Sequence, residues 1–383
     1  MTRLSAIFLV SHSSPGGVQE LWADLAEGFR ARGFDARLVA LYPHGQTSHA
    51  ARSALPWEYV VPQKPKSLRG IFGLVRALVR LFRGQSPGTV FTAMPAANVL
   101  APVAAKLAGT STHVVISHHS QVSVYNRLLN LADRWTGSLQ VVQAVVSVSK
   151  TVSASLDDKP RGYRGKRLTI PNALSPRIEQ HLDTLAATKD RLRARSRRVV
   201  AIGRLSPEKN YAVLLRAAAL MPDVEVHIVG SGPDESALKS LAAELNVTDR
   251  VFFAGHRARE EALTLLADAD VFVQPSLFEG HSLALIEAAK LHLPVVVSDV
   301  PSQVEGVTAP DGTRCGIVVD AHDDRKLAME ISRLLDDPSR YEAWSRLSGH
   351  LGSSATFETM LESYQRLGGR PPSGNAERSG LIA

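Results

Sequence analysis

Val271-Phe272-Val273-Gln274-Pro275-Ser276-Leu277-Phe278-Glu279-Gly280-His281-Ser282-Leu283-Ala284-Leu285-Ile286-Glu287-Ala288-Ala289 reads as a strand, a turn and a helix in one short stretch. The apolar run Val271–Gln274 stops at a proline, Glu279-Gly280 makes the turn, and helical spacing begins near His281. A continuous apolar run bounded by turn residues is how a strand covered on both faces looks. A helix that starts at such a strand's carboxyl end points free amides at whatever lies beyond it, and so favours an anion. The amides of about 281–283 are the expected donors, with Glu279 just ahead of them and Glu287 two turns into the helix.

The same alternation extends in both directions. Strands are predicted at Leu4–Val10, Arg37–Tyr42, Gly88–Thr92, Thr112–Ser117 and Ala144–Val148. A second series follows at Arg198–Gly203, Val224–Val229, Val251–Ala254, Val271–Gln274, Pro294–Ser298 and Gly316–Val319. Apolar strands alternating with helices imply doubly wound parallel sheets. The 383 residues are too many for one ordinary core and comfortable for two. The expected division is 1–175 and 198–356, with a basic linker at 176–197. The last helix, about 357–368, is expected to pack back on the first domain, and 369–383 to form a disordered tail.

The net charge of +7 is unevenly placed: residues 1–180 carry +12 and the remainder −5. A basic first half points to an anionic partner. With a single cysteine, Cys315, no intrachain disulfide can form, which fits a reducing compartment. Lacking a secretory signal and any apolar run long enough to span a bilayer, the sequence is expected to be cytoplasmic or peripheral on the cytosolic membrane face.

In open parallel sheets, ligands bind where strands end. Ser13-Ser14-Pro15-Gly16-Gly17-Val18-Gln19 follows the first strand, and its paired glycines let backbone approach a ligand. Gly203-Arg204-Leu205-Ser206-Pro207-Glu208-Lys209-Asn210 places two cations in one short loop, where they can bracket a diphosphate and stabilise charge on a leaving phosphate. Each segment alone also fits a structural turn or a solvated basic loop.

Taken together the segments resemble the retaining glycosyltransferases of the two-domain GT-B fold, of the group-1 (GT4-like) type, from about Leu4 to about Tyr364. The likeness rests on GRLSPEKN, the IVGSGP turn at Ile228–Pro233, Glu279 and Glu287 in E-x7-E, VSVSKTV at Val146–Val152, and IPNA at Ile170–Ala173. It implies a cleft between two Rossmann-like domains, with acceptor on the first and nucleotide-sugar on the second. By the same resemblance Arg204 and Lys209 hold the donor diphosphate, Glu279 the sugar hydroxyls and Glu287 the ribose diol. Backbone at Gly16, Gly17, Ser282 and Leu283 would approach the phosphates, and Gly230, Gly232, His256 and Arg257 lie where the base is held. The family's cleft histidine falls at His119, with His118 the alternative.

There are departures: His281 follows Glu-Gly in place of an apolar residue and is expected to contact the sugar, Ala173 replaces a glycine, and Asp299-Val300-Pro301-Ser302-Gln303 replaces a glycine pair. The implied activity is transfer of a sugar, from a UDP-sugar by family frequency, to a glycan or lipid-linked acceptor. No metal or other cofactor is expected. Asp268-Ala269-Asp270 imitates a metal motif but directly precedes the strand Val271–Gln274, where the resembled family commonly has such a step. An epimerase or phosphorylase of the same architecture is the alternative enzyme. A nucleic-acid partner is not expected, since no aromatic-studded basic motif accompanies the high pI. Finally, Lys64–Arg83 carries Arg69, Arg76, Arg80 and Arg83 at helical spacing beside Phe72 and Phe82. It is either a packed surface helix or an interfacial helix on anionic lipid.

Overall fold

The computed structural model describes residues 4–43, 51–188, 196–354 and 356–369. They form two compact units: one runs to Asn172 and resumes at Glu358, and the other is Ala173–Phe357.

In unit one, β1 (Ser5–His12), β2 (Asp35–Tyr42), β3 (Trp57–Tyr59), β4 (Thr89–Ala93), β5 (His113–His118), β6 (Val142–Ser147) and β7 (Arg167–Thr169) make one sheet in the order β3-β2-β1-β4-β5-β6-β7. Every pairing is parallel. In unit two, β8 (Arg198–Ile202), β9 (Glu225–Val229), β10 (Val251–Gly255), β11 (Val271–Gln274), β12 (Val295–Ser298) and β13 (Ile317–Val319) pair in parallel as β10-β9-β8-β11-β12-β13. Each sheet reverses direction beside its first strand, between β1 and β4 and between β8 and β11. Such switch points open a crevice at the strands' carboxyl ends.

The apolar runs become strands because helices cover both faces: all five residues of β4 and all four of β11 and of β12 are buried. Helices α1 (Gly17–Ala31), α2 (Leu68–Gln85), α3 (Pro95–Ala108) and α4 (Arg127–Thr136) follow β1, β3, β4 and β5. Right-handed crossovers place α2, α3 and α4 on one face of the sheet and α1 on the other. The helix Phe357–Gly368 joins the α1 side. Its Tyr364 sits edge-on to Trp22 and Phe91, at 5.9 and 5.8 Å between ring centres. Such aromatic pairs contribute about 0.5–1.5 kcal/mol each beyond their buried area.

Three expectations are corrected. The stretch 176–197 is not simply a linker: Pro176–Thr188 is a helix whose Ile178 and Leu182, one turn apart, are buried in the core of unit two. Its apolar spacing was hidden by surrounding polar residues; 189–195 lie outside the described residues, as do 370–383 of the expected tail. β3 and β7 were not anticipated, because a three-residue edge strand has no buried apolar run to reveal it. Phe82 is fully buried with Leu74 and Leu78 on the inner face of α2, so it offers nothing to a membrane.

Candidate active site

The loops after β8 and β11 meet at the switch point of unit two. Leu277 N donates to the Glu208 carbonyl at 2.8 Å, tying one loop to the other. Asn210, in the left-handed region at φ 53°, donates to the carbonyls of Pro275 at 3.1 Å and Ala321 at 2.8 Å. Asparagine tolerates that conformation better than most residues, and here its amide braces the turn that presents Lys209.

Lys209 Nζ lies 2.5 Å from Glu279 Oε1. The same oxygen accepts from Gln274 Nε2 at 2.6 Å and Ser276 Oγ at 2.8 Å. Gln274 Nε2 also donates to Ser282 Oγ at 2.9 Å. Ser282 caps the helix Leu283–Lys290, accepting from Leu285 N at 3.3 Å. Ser302 Oγ accepts from the Glu279 amide at 3.1 Å, and the buried Gln303 donates to the Gln274 carbonyl at 2.7 Å. The side chains that replace a glycine pair after β12 therefore hold the Glu279 turn. Three donors on Oε1 orient the carboxylate. Arg204 is exposed and makes no ion pair among the described residues.

Glu287 is 6 % exposed and pairs with Arg259 Nη2 at 2.5 Å. This guanidinium, at the start of the helix Arg259–Ala267, belongs to none of the motifs read from the sequence. His256 and Arg257, just before it, are exposed, and Arg257 reaches Glu261 at 3.8 Å. Gly230 and Gly232 have a packing reason. A Cβ on Gly230 would lie 1.9 Å from the Gly203 carbonyl oxygen, and one on Gly232 2.1 Å from that of Leu205. Only glycine lets this turn sit against the backbone that carries Arg204.

In unit one, Gly16 caps α1 and Gly17 begins it. A Cβ on Gly16 would meet Gln19 Oε1 at 2.8 Å. Gln19 and Ser14 both reach His12 Nδ1, at 3.4 and 2.7 Å, which shapes the turn after β1.

His118 and His119 separate clearly. His118 is fully buried: Tyr163 Oη donates to Asp133 Oδ2 at 3.0 Å and lies 2.7 Å from His118 Nε2. Its proton is committed to Asp133, so His118 Nε2 is the donor and Nδ1 accepts from Tyr125 Oη at 3.3 Å. Lys159 completes the network at 3.0 Å from Asp133 Oδ2. His118 is thus a core histidine with a partner at each ring nitrogen. His119 packs edge-on to Trp22, 5.1 Å between ring centres, and its Nε2 has no hydrogen-bond partner among the described residues.

Burial, with a smaller push from His118, lowers the His119 pKa to about 3. Burial lowers that of His281 to about 4, against a smaller upward pull from Glu305. Both rings are neutral near pH 7, able to exchange hydrogen bonds with a sugar without adding charge. The unfolded chain takes up protons at these rings near the ordinary value of 6.5, which the folded chain refuses. Stability is therefore full above about pH 6.5 and falls as pH drops toward 4 and 3. At pH 5 each ring should cost on the order of 1 kcal/mol, allowing for partial water access. Tm should drop between pH 7.5 and 5.0, and His119→Gln with His281→Gln should narrow the drop. An unchanged wild-type Tm would contradict the burial of these rings.

Asp268 and Asp270 lie at the amino end of β11, away from these loops. Asp270 Oδ2 accepts from Arg198 N and Ser196 Oγ, both at 3.0 Å, which is a strand-tethering role. Among the described residues no cluster of three metal-ligating side chains occurs.

Residues 187–348 match the model for glycosyl transferases group 1, and residues 15–177 that for glycosyltransferase family 4. The chain is a group-1, GT4-like glycosyltransferase. It is 36% identical over 241 residues to a D-inositol 3-phosphate glycosyltransferase of Mycolicibacterium vanbaalenii, covering 58% of this chain and 50% of the relative. The chain spans about half the length of the curated relatives it matches. Among solved structures, Anabaena HepE in complex with UDP superposes at a TM-score of 0.73 with 19% identity, covering 95% of this glycosyltransferase and 99% of HepE. Sucrose-phosphate synthase of Thermosynechococcus elongatus gives 0.73 with 20% identity, covering 95% and 98%. At such identities the likeness shows the fold, and that fold is GT-B.

Proposed function

We propose that this glycosyltransferase moves a sugar from UDP to a hydroxyl of a glycan or lipid-linked acceptor, with retention at the anomeric carbon and without a metal. The observation that carries the donor half is the group Arg204, Lys209 and Glu279 at the switch point of unit two, beside the capped helix beginning at Leu283. Two cations and a helix N-terminus supply positive potential for a diphosphate. A carboxylate held on one oxygen supplies an acceptor for sugar hydroxyls. HepE structures hold UDP and UDP-glucose, which supports a uridine donor.

The proposed chemistry is front-face. The bond from the anomeric carbon to the diphosphate oxygen breaks as the acceptor oxygen bonds to the same face. The acceptor proton passes to the departing phosphate. The protein's part is to position the reactants and to stabilise the charge left on the phosphate. Neutral His119 and His281 would hydrogen-bond to bound groups without taking the proton permanently. Because side-chain cations do the work of a metal in this reading, turnover should survive EDTA. Loss of activity on chelation, restored by Mn²⁺ or Mg²⁺, would overturn it.

The reading also places the protein peripherally on the cytosolic face of an anionic membrane through residues 64–83. No described helix is long and apolar enough to cross a membrane. Incubating the protein with a panel of nucleotide sugars, and then with acceptors that include D-inositol 3-phosphate, tests the whole proposal. Release of UDP from one donor, rising with one acceptor and giving an α-linked product from an α-linked donor, is the expected result. Turnover with free phosphate, or without any acceptor product, would replace it.

A further inference from the structure

The membrane part of that reading started from α2 alone, yet the structure puts a stronger apolar stripe on α4. Leu128, Leu131 and Trp135 fall at i, i+3 and i+7, the spacing of one helix face. They are 76%, 56% and 67% exposed, while Asp133 on the opposite face is buried. On α2 the exposed apolar residues are Leu68, Ile71 and Phe72 near its start. α3 packs between α2 and α4, so the three helices form one outer layer on the same side of the sheet. Of the thirteen large apolar residues exposed among the described residues, eight lie between Leu68 and Trp135. Exposed apolar area this concentrated marks an interaction surface.

The charge says what kind. Between Glu58 and Asp133 the chain has no Asp or Glu and eight Lys or Arg. A protein partner's surface normally carries both signs and would meet a mixed rim; here the exposed charges on α2, α3 and α4 themselves are cations, with Glu58 and Asp158 only at the layer's edges. One arginine of the α2 stripe is engaged elsewhere: Arg83 donates to the carbonyls of Leu107 and Ala108, capping α3, whereas Arg80 is exposed near Glu58 and Tyr59. Lys64, Lys66, Arg69, Arg76, Lys106 and Arg127 are exposed. Aliphatic and indole groups on a layer that also exposes cations match the boundary of an anionic bilayer, where an indole prefers to sit and each basic residue adds attraction.

We propose that the α2–α3–α4 layer is a docking face for anionic lipid, with the Leu128, Leu131 and Trp135 stripe of α4 as its principal inserting element. The inference rests on the membrane part of the reading above and is independent of the donor chemistry, which UDP binding reports separately.

The test is co-sedimentation of the full chain with vesicles of phosphatidylcholine, with and without phosphatidylglycerol. Wild type should sediment with the mixed vesicles and be released by high salt, as expected for screened surface charge. Leu128→Ser with Leu131→Ser should lower the sedimented fraction by at least about fivefold, with UDP affinity unchanged. Trp135 emission should shift to the blue on vesicles, and Trp135→Phe should abolish the shift while keeping most of the sedimentation. Wild type that does not sediment, or double-variant binding equal to wild type, overturns the proposal. So does a concentration-dependent dimer that the Leu128 and Leu131 changes dissociate, which would make the face an interface between copies.

Discussion

Lys209→Ala and Arg204→Ala should each lower kcat/KM at least about a hundredfold, roughly 3 kcal/mol of transition-state stabilisation. Both cations sit in the loop after β8, but the structure gives them different starting points. Arg204 is exposed and makes no ion pair among the described residues, so its loss removes charge from the leaving diphosphate and little from the fold. Lys209 is held by Glu279 at 2.5 Å, with their side chains only 17% and 12% exposed. Its removal leaves a carboxylate with only neutral donors, Gln274 and Ser276, on Oε1. The Lys209 variant should therefore lose Tm as well as turnover, and the Arg204 variant turnover alone. Steady-state kinetics with the active donor and a thermal melt separate the two. If both variants turn over near the wild-type rate, the diphosphate does not lie on this loop.

How much of this was legible beforehand depends on the length scale of the interaction. Strands such as β11 and β12 announce themselves because every residue in them is buried, so the apolar run is unbroken. The helix Pro176–Thr188 did not, since it docks by a short stripe, Ile178 and Leu182 buried with Leu185 and Ala186 partly so, and basic residues follow. In the site, Arg204, Lys209, Glu279 and Glu287 could be named from local spacing and family likeness. What holds them could not. Gln274, Ser302, Gln303 and Arg259 act across distances of 5 to 29 residues in the chain, and none belongs to a short motif. The two adjacent histidines show the same limit. No pattern within Ser117–Ser120 tells which ring turns inward; Tyr163 and Asp133, far along the chain, decide it for His118.

Glu279→Gln and Glu287→Ala should part company in opposite directions. Glu279 holds Lys209 before any donor arrives, so a diphosphate must compete with a carboxylate for that ammonium. Glutamine keeps the size of the side chain but removes the competing charge. UDP should then bind at least as tightly as to wild type, while turnover falls by about a hundredfold, because the sugar loses the carboxylate facing its developing positive charge. Glu287 would grip the ribose, which hardly changes along the reaction. That is uniform binding, and its loss should raise KM and weaken UDP by about tenfold with a smaller change in kcat. Because Arg259 pairs with Glu287 at 2.5 Å, Glu287→Ala also leaves a guanidinium with one partner fewer, and a melt must show that the variant is still folded. Calorimetric titration of UDP alone into the two variants needs no acceptor and no turnover. UDP affinity lost in Glu279→Gln but kept in Glu287→Ala would exchange the two roles, and equal loss in both would remove the distinction between a sugar carboxylate and a ribose carboxylate.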